Sequence, residues 1–93
     1  MIDSFRDKHT EDLWLNHRSA KIPSEILRKA IKQLKMLDFA TSLDDLRIPP
    51  GNRLEKLTGD RKGQHSIRIN QQWRVCFTWE DGAARNVEIV DYH

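Results

Sequence analysis

Ninety-three residues, 38% hydrophobic and 32% charged, with four glycines and three prolines, fit one folded globular domain spanning 1–93 and exclude a disordered or fibrous chain. A domain of this size buries only somewhat over ~60% of its unfolded surface, so one sheet with a few helices is about all it can hold. Net charge is +2, sixteen basic residues against fourteen acidic, so for any nucleic-acid partner the distribution of charge matters more than its total.

Taken in chain order, Ile2 to Phe5 alternates apolar and polar residues and predicts a short first strand. Thr10 is placed to cap a helix beginning at Glu11 and Asp12, anchored by Leu13, Trp14 and Leu15. Lys21 to Glu25 reads as a break and restart, with Pro23 suited to a first helical turn and Ser24 an alternative cap. The second helix is the clearest element: Ile26, Leu27, Ala30, Ile31, Leu34 and Leu37 recur at helical spacing and form an apolar stripe expected to lie across a sheet. Arg28, Lys32 and Lys35 occupy another face, which has two readings, an RNA-backbone footprint or a solvated face. Asp44 to Leu46 suggests a short helical turn capped by Thr41 or Ser42, and Ile48 to Asn52 a loop.

Strands then resume. Arg53 to Leu57 is short, Thr58 to Gly63 is a turn-rich connection, His65 to Ile69 alternates, and Asn70-Gln71 turns. In the next strand Trp73, Val75, Phe77 and Trp79 share one face, and Arg74, Cys76, Thr78 and Glu80 share the other. The two tryptophans belong to the core on this pattern. Asp81-Gly82 turns, and a final strand runs from about Arg85 to Val90.

Charge is concentrated in the middle of the chain. Arg47, Arg53, Lys56, Arg61, Lys62, Arg68 and Arg74 face only Glu55 and Asp60, a local excess of five, so Arg53, Lys56, Arg61, Lys62 and Arg68 are candidate RNA contacts and the alternative is a set of solvated loops. No apolar run is long enough to cross a bilayer, no signal segment follows Met1, and Cys76 has no cysteine partner, so a cytoplasmic protein without membrane contact is expected. His9, His17, His65 and His93 are scattered without a shared ligand spacing, so no metal is expected. No glycine-rich phosphate loop precedes a helix, since Gly59 and Gly63 flank a strand connection, so nucleotide hydrolysis is not expected, and no cofactor is expected either.

Metal-free RNA cleavage needs a base for the ribose 2′-hydroxyl, an acid for the departing 5′-oxygen and positive charge near the phosphate. Asp91-Tyr92-His93 and Arg74 supply candidates. His93, expected to close the chain beside its own α-carboxylate and near Asp91, is the natural proton carrier, with Asp91 orienting it. Arg74 suits phosphate stabilisation, or else a salt bridge to Glu80 or Glu88. Tyr92 shares parity with Glu88 and is expected on the face of Arg74, whereas strict parity sends His93 to the other face.

The stretches Pro49 to Arg68, Asn70 to Trp79 and Val87 to His93, with Met1 to Asp7, resemble the HigB branch of RelE-like toxins, most closely its GraT-like members, over nearly the whole chain. The resemblance implies an α+β fold: a RelE-like small, mainly antiparallel β-sheet with two N-terminal helices packed on one face and the RNA site on the other. It implies a ribosome-dependent endoribonuclease that cuts mRNA in the A site of the 70S ribosome. A HigA-like helix-turn-helix antitoxin would neutralise it, with operator DNA contacted only indirectly through that antitoxin. One departure stands out. Many relatives carry a histidine where this chain reads Leu54-Glu55-Lys56-Leu57-Thr58-Gly59-Asp60, which makes Glu55 the candidate base, Lys56 a compensating charge, and the expected toxin weaker or shifted in pH. The alternatives are a non-enzymatic ParE-like gyrase poison and a binding domain that has lost catalysis.

Overall fold

The computed structural model describes residues 1–92. Its elements are α1 (Lys8–Asn16), α2 (Leu27–Phe39), β1 (Glu55–Lys56), β2 (His65–Arg68), β3 (Trp73–Glu80) and β4 (Ala83–Asp91), with short 3-10 turns between them. The four strands form one sheet in the order β1-β2-β3-β4, each antiparallel to its neighbour. The α+β architecture implied by the resemblance is the one observed.

The first strand expected at the N-terminus is reduced to two parallel bridges, Ile2 to Ala84 and Phe5 to Val87. A full ladder fails because β4 bulges at Asn86, whose φ of 54° turns its backbone out of register. The Asn86 amide donates instead to Ser4 Oγ at 2.9 Å. Further along, the Ile89 amide donates to Thr10 Oγ1 at 3.0 Å, so the edge of β4 is covered rather than left as a template for another strand.

That bond removes Thr10 from the capping role expected of it. The cap is Asp7, whose Oδ1 accepts from the Thr10 amide at 2.7 Å, and the helix therefore starts at Lys8. A carboxylate there satisfies an orphan amide and complements the positive helix end, which a neutral hydroxyl cannot match. Leu13 is fully buried and Trp14 packs partly against the core, but Leu15 is 66% exposed because it falls on the outer side of the helix. Pro23 sits just outside the 3-10 turn Ser24–Ile26 with extended backbone, and Ser24 makes no side-chain cap.

The apolar stripe of α2 does lie over the sheet: Ile26, Ala30, Leu34 and Leu37 join Ile67, Val75, Phe77 and Val87 in the core, with Trp73 and Trp79 partly buried against it. Within that stripe Gln33 is also wholly buried. Its Nε2 donates to Asn52 Oδ1 at 3.0 Å and to the Arg68 carbonyl at 2.7 Å. Asn52 Nδ2 in turn donates to the Leu46 carbonyl at 3.2 Å. These bonds tie α2 to the loop before β1 and to the end of β2.

The remaining turns follow their residues. Ser42 caps Leu43–Arg47 in a capping box with Asp45. Asn70 Oδ1 accepts from the amides of Gln72 and Trp73, both at 2.8 Å, closing the β2–β3 turn. Asp81 and Gly82 take φ of 51° and 76°, the paired left-handed conformation that suits a two-residue hairpin.

Candidate functional site

Antiparallel partners carry their side chains on the same face, so the register builds the site row by row. Glu55, Ser66, Cys76 and Glu88 are mutual neighbours across all four strands, on the face turned away from the helices. The next row on that face holds Arg68, Arg74 and Val90. Beyond it the Tyr92 amide donates to the Gln72 carbonyl at 2.7 Å, which keeps Tyr92 in step with Arg74.

Arg74 is the centre of this surface, with 11% of its side chain exposed. Its Nε donates to Ser66 Oγ at 2.7 Å, its Nη2 donates to the Arg53 carbonyl at 2.6 Å, and the same nitrogen lies 3.5 Å from Glu55 Oε1. The carbonyl of Arg53 is aimed there because Arg53 takes a left-handed backbone (φ 47°, ψ 56°) directly after Asn52. Two of the three guanidinium nitrogens are thus held by neutral oxygens, which orients the plane, and Glu55 is the carboxylate that shares its charge. Ser66, wholly buried, escaped the sequence reading; its only signal was a small polar residue at the outward parity of a strand.

Beside it lies a second pair. Arg61 Nη1 donates to Glu88 Oε1 at 2.6 Å and to Gln64 Oε1 at 3.1 Å. The hydrogen bond to Glu88 raises the Arg61 pKa further above its usual value, against the opposing effect of partial burial. Cys76 lies at the outward parity expected of it yet is wholly buried, and burial pushes its thiol up from the ordinary value while the charges of Arg61, Glu88 and Arg74 act on it.

The sequence candidates therefore divide. Glu55, Arg74, Tyr92 and the backbone of Arg53 come together, with Arg61 adjacent. The expected partners of Arg74 are engaged elsewhere: Glu88 by Arg61, and Glu80 by Arg85 at 3.0 Å. Arg68 shares the face, but its Nε turns back to the Asn70 carbonyl at 3.0 Å. Lys62 is exposed beyond the Gly59–Arg61 turn. Lys56 pairs with His65, and hence faces the helical side, away from Glu55. Asp91 pairs with Trp73 on that same side, and its Oδ2 accepts from Gln72 Nε2 at 3.1 Å. His93 lies outside the described residues.

Chemically, the assembled face offers an oriented guanidinium, a carboxylate 54% exposed beside it, and a phenol 38% exposed in the same register. Among the described residues no group of three His, Cys, Asp or Glu side chains forms a metal-sized cluster.

The family model of HigB-like toxins, described as RelE-like toxins of the type II toxin-antitoxin system HigB, matches residues 3–93. Toxin HigB-1 of Vibrio cholerae is 46% identical over 87 residues, 92% of each chain. Endoribonuclease HigB of Proteus vulgaris is 30% identical over 93 residues, the full length of both. The YoeB-YefM complex from Staphylococcus aureus matches with a TM-score of 0.61 over 100% of this chain and 98% of that one, at 18% identity, a likeness of fold alone.

Proposed function

Because the chain belongs to the HigB-like toxins of type II toxin-antitoxin systems, we propose that it is a single-domain, metal-independent endoribonuclease that cuts mRNA in the ribosomal A site. The observation that carries this reading is the apposition of Arg74 and Glu55, 3.5 Å apart on the sheet face that no helix covers. The full-length similarity to a protein named endoribonuclease supports it.

In the proposed reaction Glu55 takes the proton of the ribose 2′-hydroxyl, and the 2′-oxygen attacks the adjacent phosphorus. The bond from phosphorus to the 5′-oxygen breaks as His93 delivers a proton to that oxygen. The products are a 2′,3′-cyclic phosphate and a free 5′-hydroxyl. Arg74 stabilises the charge that builds on the non-bridging oxygens, and its clamps on Ser66 and Arg53 mean that little reorganisation is needed at that moment. Tyr92 offers its ring to a base or its hydroxyl to the proton path, and Asp91 orients His93. The ribosome supplies the positioning of the message that so small a surface cannot supply itself.

A HigA-like helix-turn-helix antitoxin is the proposed neutralising partner, with operator DNA reached only through it, and the cytoplasm the proposed compartment. No helix among the described residues is long and apolar enough to cross a membrane.

Primer extension on a defined message in a reconstituted translation system tests the reading, comparing wild type, Glu55→Gln, His93→Ala and ribosome-free RNA. Cuts confined to A-site codons and lost in both variants are expected. Intact cleavage by Glu55→Gln removes Glu55 as the base, and broken DNA without message cleavage at toxic doses points to a gyrase poison.

A further inference from the structure

The outer face of α2 carries a second feature that the cleavage site does not use. Arg28, Lys32 and Lys35 recur at helical spacing and are all exposed, and Phe39, next in the same stripe, is 89% exposed. At 3.6 residues per turn the four fall within roughly 60° of one another, opposite the buried Ala30, Leu34 and Leu37. The stripe is about 16 Å long at a rise of ~1.5 Å per residue.

Two observations separate it from an ordinary solvated face. First, no ion pair among the described residues involves Arg28, Lys32, Lys35 or the flanking Lys29, so four cations without a carboxylate partner are gathered on one helix. The single acid of α2, Asp38, is turned away and accepts from the Ile2 amide at 2.8 Å. The four cations of α2 stand against one acid, Asp38, so this single helix carries +3, more than the +2 of the whole chain. Second, the row of cations ends on an exposed aromatic ring. Phe39 borders a cleft of about 300 Å³ lined also by Met36, Ala40, Thr41 and Asp45, which leaves room beside its ring.

The geometry points to the outer face of α2 as a second RNA-binding surface, in which Arg28, Lys32 and Lys35 track consecutive phosphates and Phe39 stacks on an unpaired base. Charge complementarity selects the polyanion, and an aromatic platform at the end of a cationic rail suits an RNA whose helix gives way to unstacked nucleotides. This face lies on the opposite side of the sheet from Arg74, so it holds a segment other than the one being cut. The inference rests on the RNA-directed reading above for the source of that segment, a structured RNA of the ribosome, while its binding chemistry stands independently.

The test uses fluorescence anisotropy with a labelled 2′-O-methyl RNA hairpin bearing an unpaired loop, which cannot be cleaved. The triple variant Arg28→Gln, Lys32→Gln, Lys35→Gln is expected to bind about a hundredfold more weakly at low salt and to lower the slope of log affinity against log salt by about 2. Phe39→Ala is expected to lose about tenfold in affinity with the slope unchanged. All four side chains are exposed, so circular dichroism should report an unaltered fold. Unchanged affinity and slope in the triple variant overturn the proposal in favour of a solvated face. Unchanged RNA affinity in Phe39→Ala, with altered sedimentation of the protein alone, overturns it in favour of a protein interface. Because the probe is uncleavable, failure of the proposed nuclease activity leaves this result intact, and the reverse holds.

Discussion

Replacing Asn52 by alanine is the perturbation that best separates the scaffold from its site. The Asn52 side chain is buried; it accepts from Gln33 Nε2 at 3.0 Å and donates to the Leu46 carbonyl at 3.2 Å. Alanine removes these two bonds, each worth about 1 kcal/mol net, together with the weaker contacts of Nδ2 to Met36 Sδ and the Ile48 carbonyl, and leaves the Leu46 carbonyl short of its donor, a further cost of about 1–2 kcal/mol. Gln33 keeps its bond to the Arg68 carbonyl, so the total is about 3 kcal/mol rather than the loss of the whole network. A 93-residue domain has roughly 5–14 kcal/mol in hand, so the variant folds but is visibly weakened. With a urea slope of about 1–2 kcal/mol per molar, the unfolding midpoint should fall by roughly 1.5–3 M. Exposed Gln71→Ala is the control, expected within about 0.5 kcal/mol of wild type. Cleavage should fall as well under conditions where Asn52→Ala is folded, because Arg53, the next residue, loses the anchor that aims its carbonyl at Arg74. A midpoint within experimental error of wild type would refute the claim that this buried amide holds the loop.

Arg74→Lys should reduce message cleavage about tenfold to a hundredfold, since one ammonium cannot bond Ser66 and the Arg53 carbonyl while presenting a plane to phosphate; primer-extension rates read this, and full activity would show that charge alone suffices. His65 has its pKa lowered from the usual 6.5, chiefly by burial and further by Lys56. The unfolded chain therefore takes up the proton first, so this contribution to stability is full above pH 6.5 and declines as pH falls through that value; His65→Phe should flatten urea midpoints measured from pH 8 to pH 5. Cys76 is wholly buried with its thiol pKa raised by burial, so an aromatic disulfide reagent at pH 8 should label it only at the rate of unfolding, and labelling within seconds in the native protein would contradict that burial.

Periodicity alone made the helix over Leu27–Phe39, the three main strands and their turns legible, because apolar residues must meet a core at intervals of 3.6 or 2 and Asp-Gly must turn. The parity of β3 likewise placed Arg74 and Cys76 opposite Val75 and Phe77. What parity could not tell was how much cover the outward face would have: Cys76 is buried there because Arg61, Glu88 and Arg74 come from three separate segments. The Glu55–Arg74 contact is of the same kind, since the residues lie nineteen positions apart and meet only through the β1–β2–β3 register. Gln33 reads as an interruption in an apolar stripe until Asn52 is brought under it. Thr10 reads as a cap until β4 offers it an amide. Local sequence sets which way a side chain faces, because that depends on backbone period; its partner depends on strand register and loop path, which only the packed chain decides.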